Sequence, residues 1–206
     1  MNAQLISDTY LDAIEQAGYA IVENAIDETL INDLIADCYR INPHFHTVGI
    51  GRLNDQQIDK NVRKDKTFWF DSSSQAQITY LATMEAIKTQ LNRSFYLGLF
   101  DYECHYAKYQ QGDFYKKHYD AFKGRSNRIF TTVCYLNTPE SGGELVIYKP
   151  KSKDIEIVVK PQAGMLVMFE SERFMHEVLP ANDVRYSIAG WFRKNASISG
   201  IIDPPR

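Results

Sequence analysis

Cysteine is scarce in this chain of 206 residues: Cys38, Cys104 and Cys134 are odd in number and far apart, with no CxxC pair. That spacing excludes a disulfide framework and a structural zinc site, and it reads as reduced, mostly buried thiols in a cytoplasmic protein. Long apolar runs are missing too. No stretch approaches the ~20 residues of a membrane span, and no basic segment followed by an apolar core opens the chain. Neither membrane insertion nor secretion is therefore expected. Charge of one sign is also lacking, since 23 Lys+Arg against 26 Asp+Glu leave a net charge of -3. Nucleic acid is accordingly not an expected partner. With no internal repeat or low-complexity linker either, the length points to a single domain over 1–206.

What is present changes character along the chain. Residues 8–18 read as a short amphipathic helix capped by Ser7 or Asp8, and 19–23 as a strand. Residues 27–40 read as a stronger helix, with Leu30, Ile31, Leu34 and Ile35 as its apolar stripe. The segment 41–66 is polar with little periodicity, and about 47–66 is expected to be a mobile loop. Residues 74–93 carry the clearest helical spacing, through Ile78, Leu81, Met84, Ile87 and Leu91. From about Phe100 the pattern becomes short β runs: 102–109, 114–119, 128–136, 144–148, 155–159, 165–169, 174–178 and 185–192. About eight strands with Gly, Pro and Asn punctuation predict a sandwich or jelly roll. The expected fold is mainly β with N-terminal helices (α+β) around a double-stranded β-helix, jelly-roll or cupin-like core. Residues 1–99 would form a helical support packed on one outer sheet, 100–193 the jelly-roll core, and 194–206 a tail.

The chemistry concentrates in that β half. In His118-Tyr119-Asp120 the first and third side chains share one face of a strand and can reach the same point. A His-x-Asp by itself is a weak signal, and a lone histidine is more often structural than a ligand. Here His176 follows on another strand-like run, completing two imidazoles and a carboxylate. Such a set leaves coordination positions open and suits non-haem Fe(II) that must also bind cosubstrate and oxygen. Nine residues on, Arg185 is a permanent planar cation suited to an organic carboxylate, although an ordinary salt bridge is its bland alternative. Parity puts Thr131, Val133 and Tyr135 on one face of their strand, and Arg185, Ser187 and Trp191 on one face of theirs.

Several motifs in combination resemble the 2-oxoglutarate and Fe(II)-dependent dioxygenases, and within them the prolyl 4-hydroxylase group. They are Val62-Arg63-Lys64-Asp65-Lys66 with Trp69, Tyr109 before Phe114-Tyr115, and His118-Tyr119-Asp120. They continue with Tyr135-Leu136-Asn137, Gly142-Gly143-Glu144-Leu145, His176-Glu177-Val178 with Pro180, and Arg185-Tyr186-Ser187 with Trp191. The run is similar to the hypoxia-sensing prolyl hydroxylases and their bacterial relatives over roughly residues 60–193.

The resemblance implies His118, Asp120 and His176 as metal ligands. Arg185 and Tyr135 would hold the distal carboxylate of 2-oxoglutarate, and Tyr109 would stand near its metal-binding end. Arg63 and Asp65 match a charged pair on a loop that closes over the substrate, and Arg128 and Trp191 match the substrate mouth. Fe(II), 2-oxoglutarate and O2 follow as cofactor and cosubstrates, with ascorbate as a candidate reductant for oxidised iron. The implied reaction hydroxylates a substrate carbon and releases succinate and CO2. The expected partner is a protein or peptide containing proline, a translation factor being one candidate. A free amino acid or other small molecule is the alternative substrate, and a non-catalytic 2-oxoglutarate or metal sensor the alternative class. Two departures stand out. Ala189 replaces a hydroxyl residue of the eukaryotic relatives, so Ser187 is the candidate for that contact. His105 replaces a methionine-like residue, and is expected to be structural or a hydrogen-bond donor rather than a competing ligand.

Overall fold

The computed structural model describes residues 6–47, 61–121 and 126–194, together with the backbone of 197–198 and 201–202. Helix α1 (Asp8–Ala17) begins at Ser7 and stops at Gly18, whose φ of 83° lets the backbone turn left-handed at the helix end. Helix α2 (Glu28–Arg40) is capped by Asp27, which accepts from the Leu30 amide at 2.9 Å. Helix α3 (Gln75–Phe95) is capped by Ser74, which accepts from the Gln77 amide at 3.2 Å.

The strands are β1 (Tyr19–Val22), β2 (His46–Thr47), β3 (Lys66–Trp69), β4 (Asp101–Tyr109), β5 (Tyr115–His118) and β6 (Arg128–Tyr135). After them come β7 (Leu145–Tyr148), β8 (Ile155–Val159), β9 (Leu166–Glu170), β10 (His176–Val178) and β11 (Arg185–Arg193). A two-residue pair, β12 (Ser197–Ile198) and β13 (Ile201–Ile202), follows.

Seven strands make one antiparallel sheet in the order β1-β9-β6-β11-β4-β3-β2, and four make a second in the order β5-β10-β7-β8. Two apolar layers result. On one side of the large sheet, α1, α2 and α3 bury Ile14, Leu34, Tyr80, Met84 and Leu91 against Tyr106, Cys134, Leu166, Ile188 and Phe192. On its other side, Tyr109, Tyr135, Val167 and Phe169 meet Leu145, Ile147 and Val178 of the four-stranded sheet, together with Phe174 just before β10. This is the expected mainly-β jelly roll with its helices on one outer sheet.

Each of the eight β runs expected from Phe100 onward forms a strand, with ends shifted by at most two residues. The exceptions by length are 114–119, held as Tyr115–His118, and 174–178, held as His176–Val178. The segment 41–66 departs from its reading as a loop at both ends. β2 pairs with β3, and β3 pairs with β4 from Lys66↔Lys108 to Trp69↔His105. The segment is polar with no readable alternation, and main-chain pairing with β4 recruits it. Of the expected mobile loop, 48–60 lie outside the described residues. Its end is tied down: Lys64 N donates to the Phe114 carbonyl at 3.0 Å and Lys116 N to that of Val62 at 2.9 Å.

Candidate metal centre

His118 ends β5 and His176 begins β10, and the antiparallel register sets them directly opposite each other. Opposed residues of a pair project to the same face, so both imidazoles point at one place. Asp120, two residues beyond His118, completes the cluster. Its Oδ1 lies 3.5 Å from His118 Nε2 and its Oδ2 3.4 Å from His176 Nε2. One ligand atom from each of the three falls within 4.8 Å of the others, and no second cluster of this kind occurs among the described residues.

The surroundings orient each ligand. His118 Nδ1 lies 2.7 Å from the Lys116 carbonyl and His176 Nδ1 lies 3.3 Å from that of Phe174. Each Nδ1 therefore carries the proton, leaving the Nε2 lone pair free for a metal. Tyr115 stacks on His118 with centroids 3.6 Å apart, and Phe169 meets His176 edge-on at 4.8 Å. Thr131 Oγ1 donates to Asp120 Oδ2 at 2.8 Å and is itself 2.9 Å from Ser171 Oγ.

Electrostatics favour the ligating protonation states. Burial, and then the facing His176, lower the pKa of His118, so its imidazole stays neutral. Burial alone would raise Asp120, but His176 and His118 outweigh it and hold the carboxyl well below its ordinary range. Two imidazoles presenting Nε2 and an ionised carboxylate are a donor set that fits Fe(II).

A second feature lies in the same layer between the sheets. Arg185 is only 1% exposed, and its Nε and Nη1 have no hydrogen-bond partner. Its guanidinium sits 4.7 Å from the Tyr109 ring and 5.0 Å from that of Tyr135, whose buried hydroxyl is also unpartnered. Burial raises the pKa of both phenols, so each is a neutral donor. A buried cation without a counter-ion costs on the order of several kcal/mol, which an incoming carboxylate would offset. Gly143 makes room for this side chain: at φ 71°, a Cβ there would stand 2.9 Å from Arg185 Cδ. The orphaned donors therefore fit a carboxylate cosubstrate. Ser187 lies on the same face of β11, opposite Tyr135 and Ala107, and Ala189 lies opposite Val133 and His105.

The residues expected at the substrate side form two ion-paired groups. Arg63 Nε and Nη2 hold Asp65 in a fork at 2.8 and 2.6 Å, and the guanidinium covers the Tyr115 ring at 4.4 Å. Arg63, Tyr115 and His118 thus form one stacked column. Arg128 lies 3.5 Å over the Trp191 ring and bonds Glu103 at 2.7 Å. Trp191 in turn meets His105 at 5.5 Å and Trp69 at 6.1 Å.

His105 stands apart from the metal cluster. Its ring is wedged between Trp69 and Trp191, and its Nδ1 lies 3.1 Å from the Tyr106 carbonyl. Burial, and then Arg63, push its pKa down to about 4, so it is a neutral, structural histidine. Sequence reading singled out neither Ser171 nor Glu103. Thr131 was visible only by its parity with Tyr135, and nothing in the sequence pairs it with Asp120.

Comparison with known proteins gives a consistent picture. The sequence profile of the 2OG-Fe(II) oxygenase superfamily matches residues 104–193, a span holding the whole metal cluster and Arg185. A Pseudomonas putida prolyl-4-hydroxylase of known structure is 32% identical, covering 91% of this chain and 98% of that one, with a TM-score of 0.79. A prolyl hydroxylase from Trichoplax adhaerens, solved with a hypoxia inducible factor oxygen degradation domain peptide fragment, shares the fold. Its TM-score is 0.78 at 23% identity, over 91% of this chain and 88% of that one. A PKHD-type hydroxylase of Parvibaculum lavamentivorans is 33% identical over 90 residues, a match spanning 42% of this chain and 40% of that protein.

Proposed function

Since this chain belongs to the 2OG-Fe(II) oxygenase superfamily and is a prolyl hydroxylase-like dioxygenase, we propose that it hydroxylates a prolyl residue in a protein or peptide. The observation that carries the reading is the conjunction between the sheets: a His-Asp-His cluster beside a buried arginine with unpartnered donors. In this reading His118, Asp120 and His176 hold Fe(II). Arg185 and Tyr135 hold the distal carboxylate of 2-oxoglutarate, with Tyr109 and Ser187 alongside. When bound, Fe(II) and 2-oxoglutarate supply the oxidising chemistry: one O2 is consumed, 2-oxoglutarate leaves as succinate and CO2, and a substrate carbon gains a hydroxyl.

The chain's own residues bind and orient. The Nδ1–H bonds to Lys116 and Phe174 keep both imidazoles in the ligating tautomer. Arg185 offers a planar, permanently charged fork in a dry setting, where a carboxylate bond is stronger than in water. Arg63, Asp65, Arg128 and Trp191 line the substrate side in this proposal, supported by the stack of Arg63 on Tyr115 and Tyr115 on His118. The whole chain is read as one functional unit, with the helical part supporting the jelly roll and the tail outside the chemistry. The free, buried Cys38, Cys104 and Cys134 suit a reducing compartment, and the cytoplasm is the proposed location. No helix among the described residues is long and apolar enough to cross a membrane. Ascorbate is the proposed reductant for iron oxidised off-cycle, and a translation factor is a proposed target.

The test is succinate formation from 2-oxoglutarate with Fe(II) and O2, with and without proline-containing peptides and cell lysate. A protein-stimulated rate with a gain of one oxygen on proline is expected. A basal rate that no protein stimulates would turn the reading to a small-molecule hydroxylase. No rate at all would overturn it in favour of a sensor.

A further inference from the structure

Asp120 Oδ2 accepts a hydrogen bond from Thr131 Oγ1 at 2.8 Å, and Thr131 Oγ1 lies 2.9 Å from Ser171 Oγ. An ionised carboxylate can only accept, so the Thr131 proton points at Asp120. Thr131 must then be the acceptor in its contact with Ser171, and the relay runs one way, from Ser171 through Thr131 to Asp120. Both hydroxyls are out of solvent, Ser171 at 0% and Thr131 at 2% exposure. Water therefore does not compete for these bonds.

The relay is anchored at both ends. Thr131 lies within the large sheet, paired across to Trp191 on β11 and to Phe169 on β9. Ser171 follows β9 and donates its own amide to the Ile129 carbonyl at 2.9 Å. Asp120, by contrast, lies just past the end of β5, outside the regular pairing that seats the two histidines. Of the three ligands it is the one whose orientation the strand ladder does not set.

We propose that the Ser171–Thr131 relay positions Asp120: it fixes the plane of the carboxylate and leaves Oδ1, facing His118, as the ligating oxygen. Thr131 and Ser171 are positioning residues, touching neither metal nor substrate. The inference rests on the reading of His118, Asp120 and His176 as metal ligands. Removing such an outer partner lowers metal affinity by roughly 10–100-fold in comparable sites.

Co(II) serves as the probe, titrated into the full chain and followed by its visible absorption, with thermal unfolding recorded in parallel. Thr131→Val, which removes the hydroxyl at nearly constant volume, is expected to bind Co(II) roughly 10–100-fold more weakly with an altered spectrum. Thr131→Ser is expected to restore both, and Ser171→Ala to show a smaller loss. Unchanged affinity and spectrum in Thr131→Val, or a loss that serine does not restore, would overturn the relay. If Thr131→Val does not fold, Ser171→Ala decides, and wild-type affinity there would equally overturn it. Failure of the underlying reading looks different: wild-type protein would take up no Co(II), or His176→Ala would bind it as well as wild type, and the relay would fall with the triad.

Discussion

Along β11 the side chains alternate between two environments. Tyr186, Ile188 and Phe192 pack under the helices in the larger apolar cluster. Arg185, Ser187 and Trp191, from the same nine residues, sit opposite Tyr109 or Tyr135, Ala107, and Thr131. The helix side is closed in composition: its buried aliphatic and aromatic groups need nothing from outside. The inner side holds a cationic fork and a phenol with unmet hydrogen bonds, and the same layer holds a carboxylate flanked by two imidazoles. One sheet therefore carries stability on one face and unsatisfied chemistry on the other. That division is what a site requires if its missing partners are a metal and an organic acid.

Substitutions on the two faces should separate along this line. The largest effect is expected from His176→Ala, which removes a ligand: succinate formation falls to background and bound iron, read by elemental analysis after loading, is lost. Turnover at the wild-type rate would sink the ligand assignment. Next, Arg185→Met should weaken 2-oxoglutarate binding by on the order of 100-fold or more, measured by calorimetry on the metal-loaded protein. Because it removes an uncompensated buried charge, its ligand-free melting temperature should not fall. A lowered melting temperature with unchanged 2-oxoglutarate affinity would reverse the assignment of that face.

The helix side should behave oppositely. Phe192→Ala is expected to cost about 3–5 kcal/mol of stability. That corresponds to a melting temperature lower by on the order of 10 °C. Metal affinity in the folded protein should stay as in wild type. The smallest effect concerns His105. The unfolded chain takes up a proton near pH 6.5 that the folded protein refuses until about 4. More protons bound by the unfolded state mean that stability falls as pH drops through this window and levels off below it. His105 alone should contribute about 3 kcal/mol to that loss. Denaturant titrations at pH 7 and pH 4.5 should therefore show a shallower decline for His105→Met than for wild type. Equal declines would mean His105 takes up its proton at the same pH folded and unfolded.

The metal cluster was legible because its signal is local. His-x-Asp brings its two side chains together although Asp120 stands just past the end of β5 rather than on the strand, and the alternation that reads Arg185 and Ser187 onto one face holds in the pairing with β4 and β6. The expected jelly roll was legible for the same reason: alternation and turn residues repeat at short range from Phe100 onward. The segment near β2 and β3 was not, since its polar residues show no alternation and its pairing is specified by the strand it docks on. His105 was ambiguous for a related reason. Parity puts it on the inner face, but only Trp69 and Trp191 around its ring make it structural.

From the sequence alone come the candidate His-Asp-His set, the arginine, the class of fold and the side of each strand that carries chemistry, because residue type and a period of two make them visible. Only the tertiary structure decides which groups meet across long separations. It brings Thr131 and Ser171 to Asp120, locks Arg63 to Asp65 over Tyr115, pairs Arg128 with Glu103, and leaves Arg185 Nε and Nη1 without a hydrogen-bond partner. Those outcomes depend on strand order and register between distant segments, which set where hydrogen bonds are met and where one is kept open for a ligand.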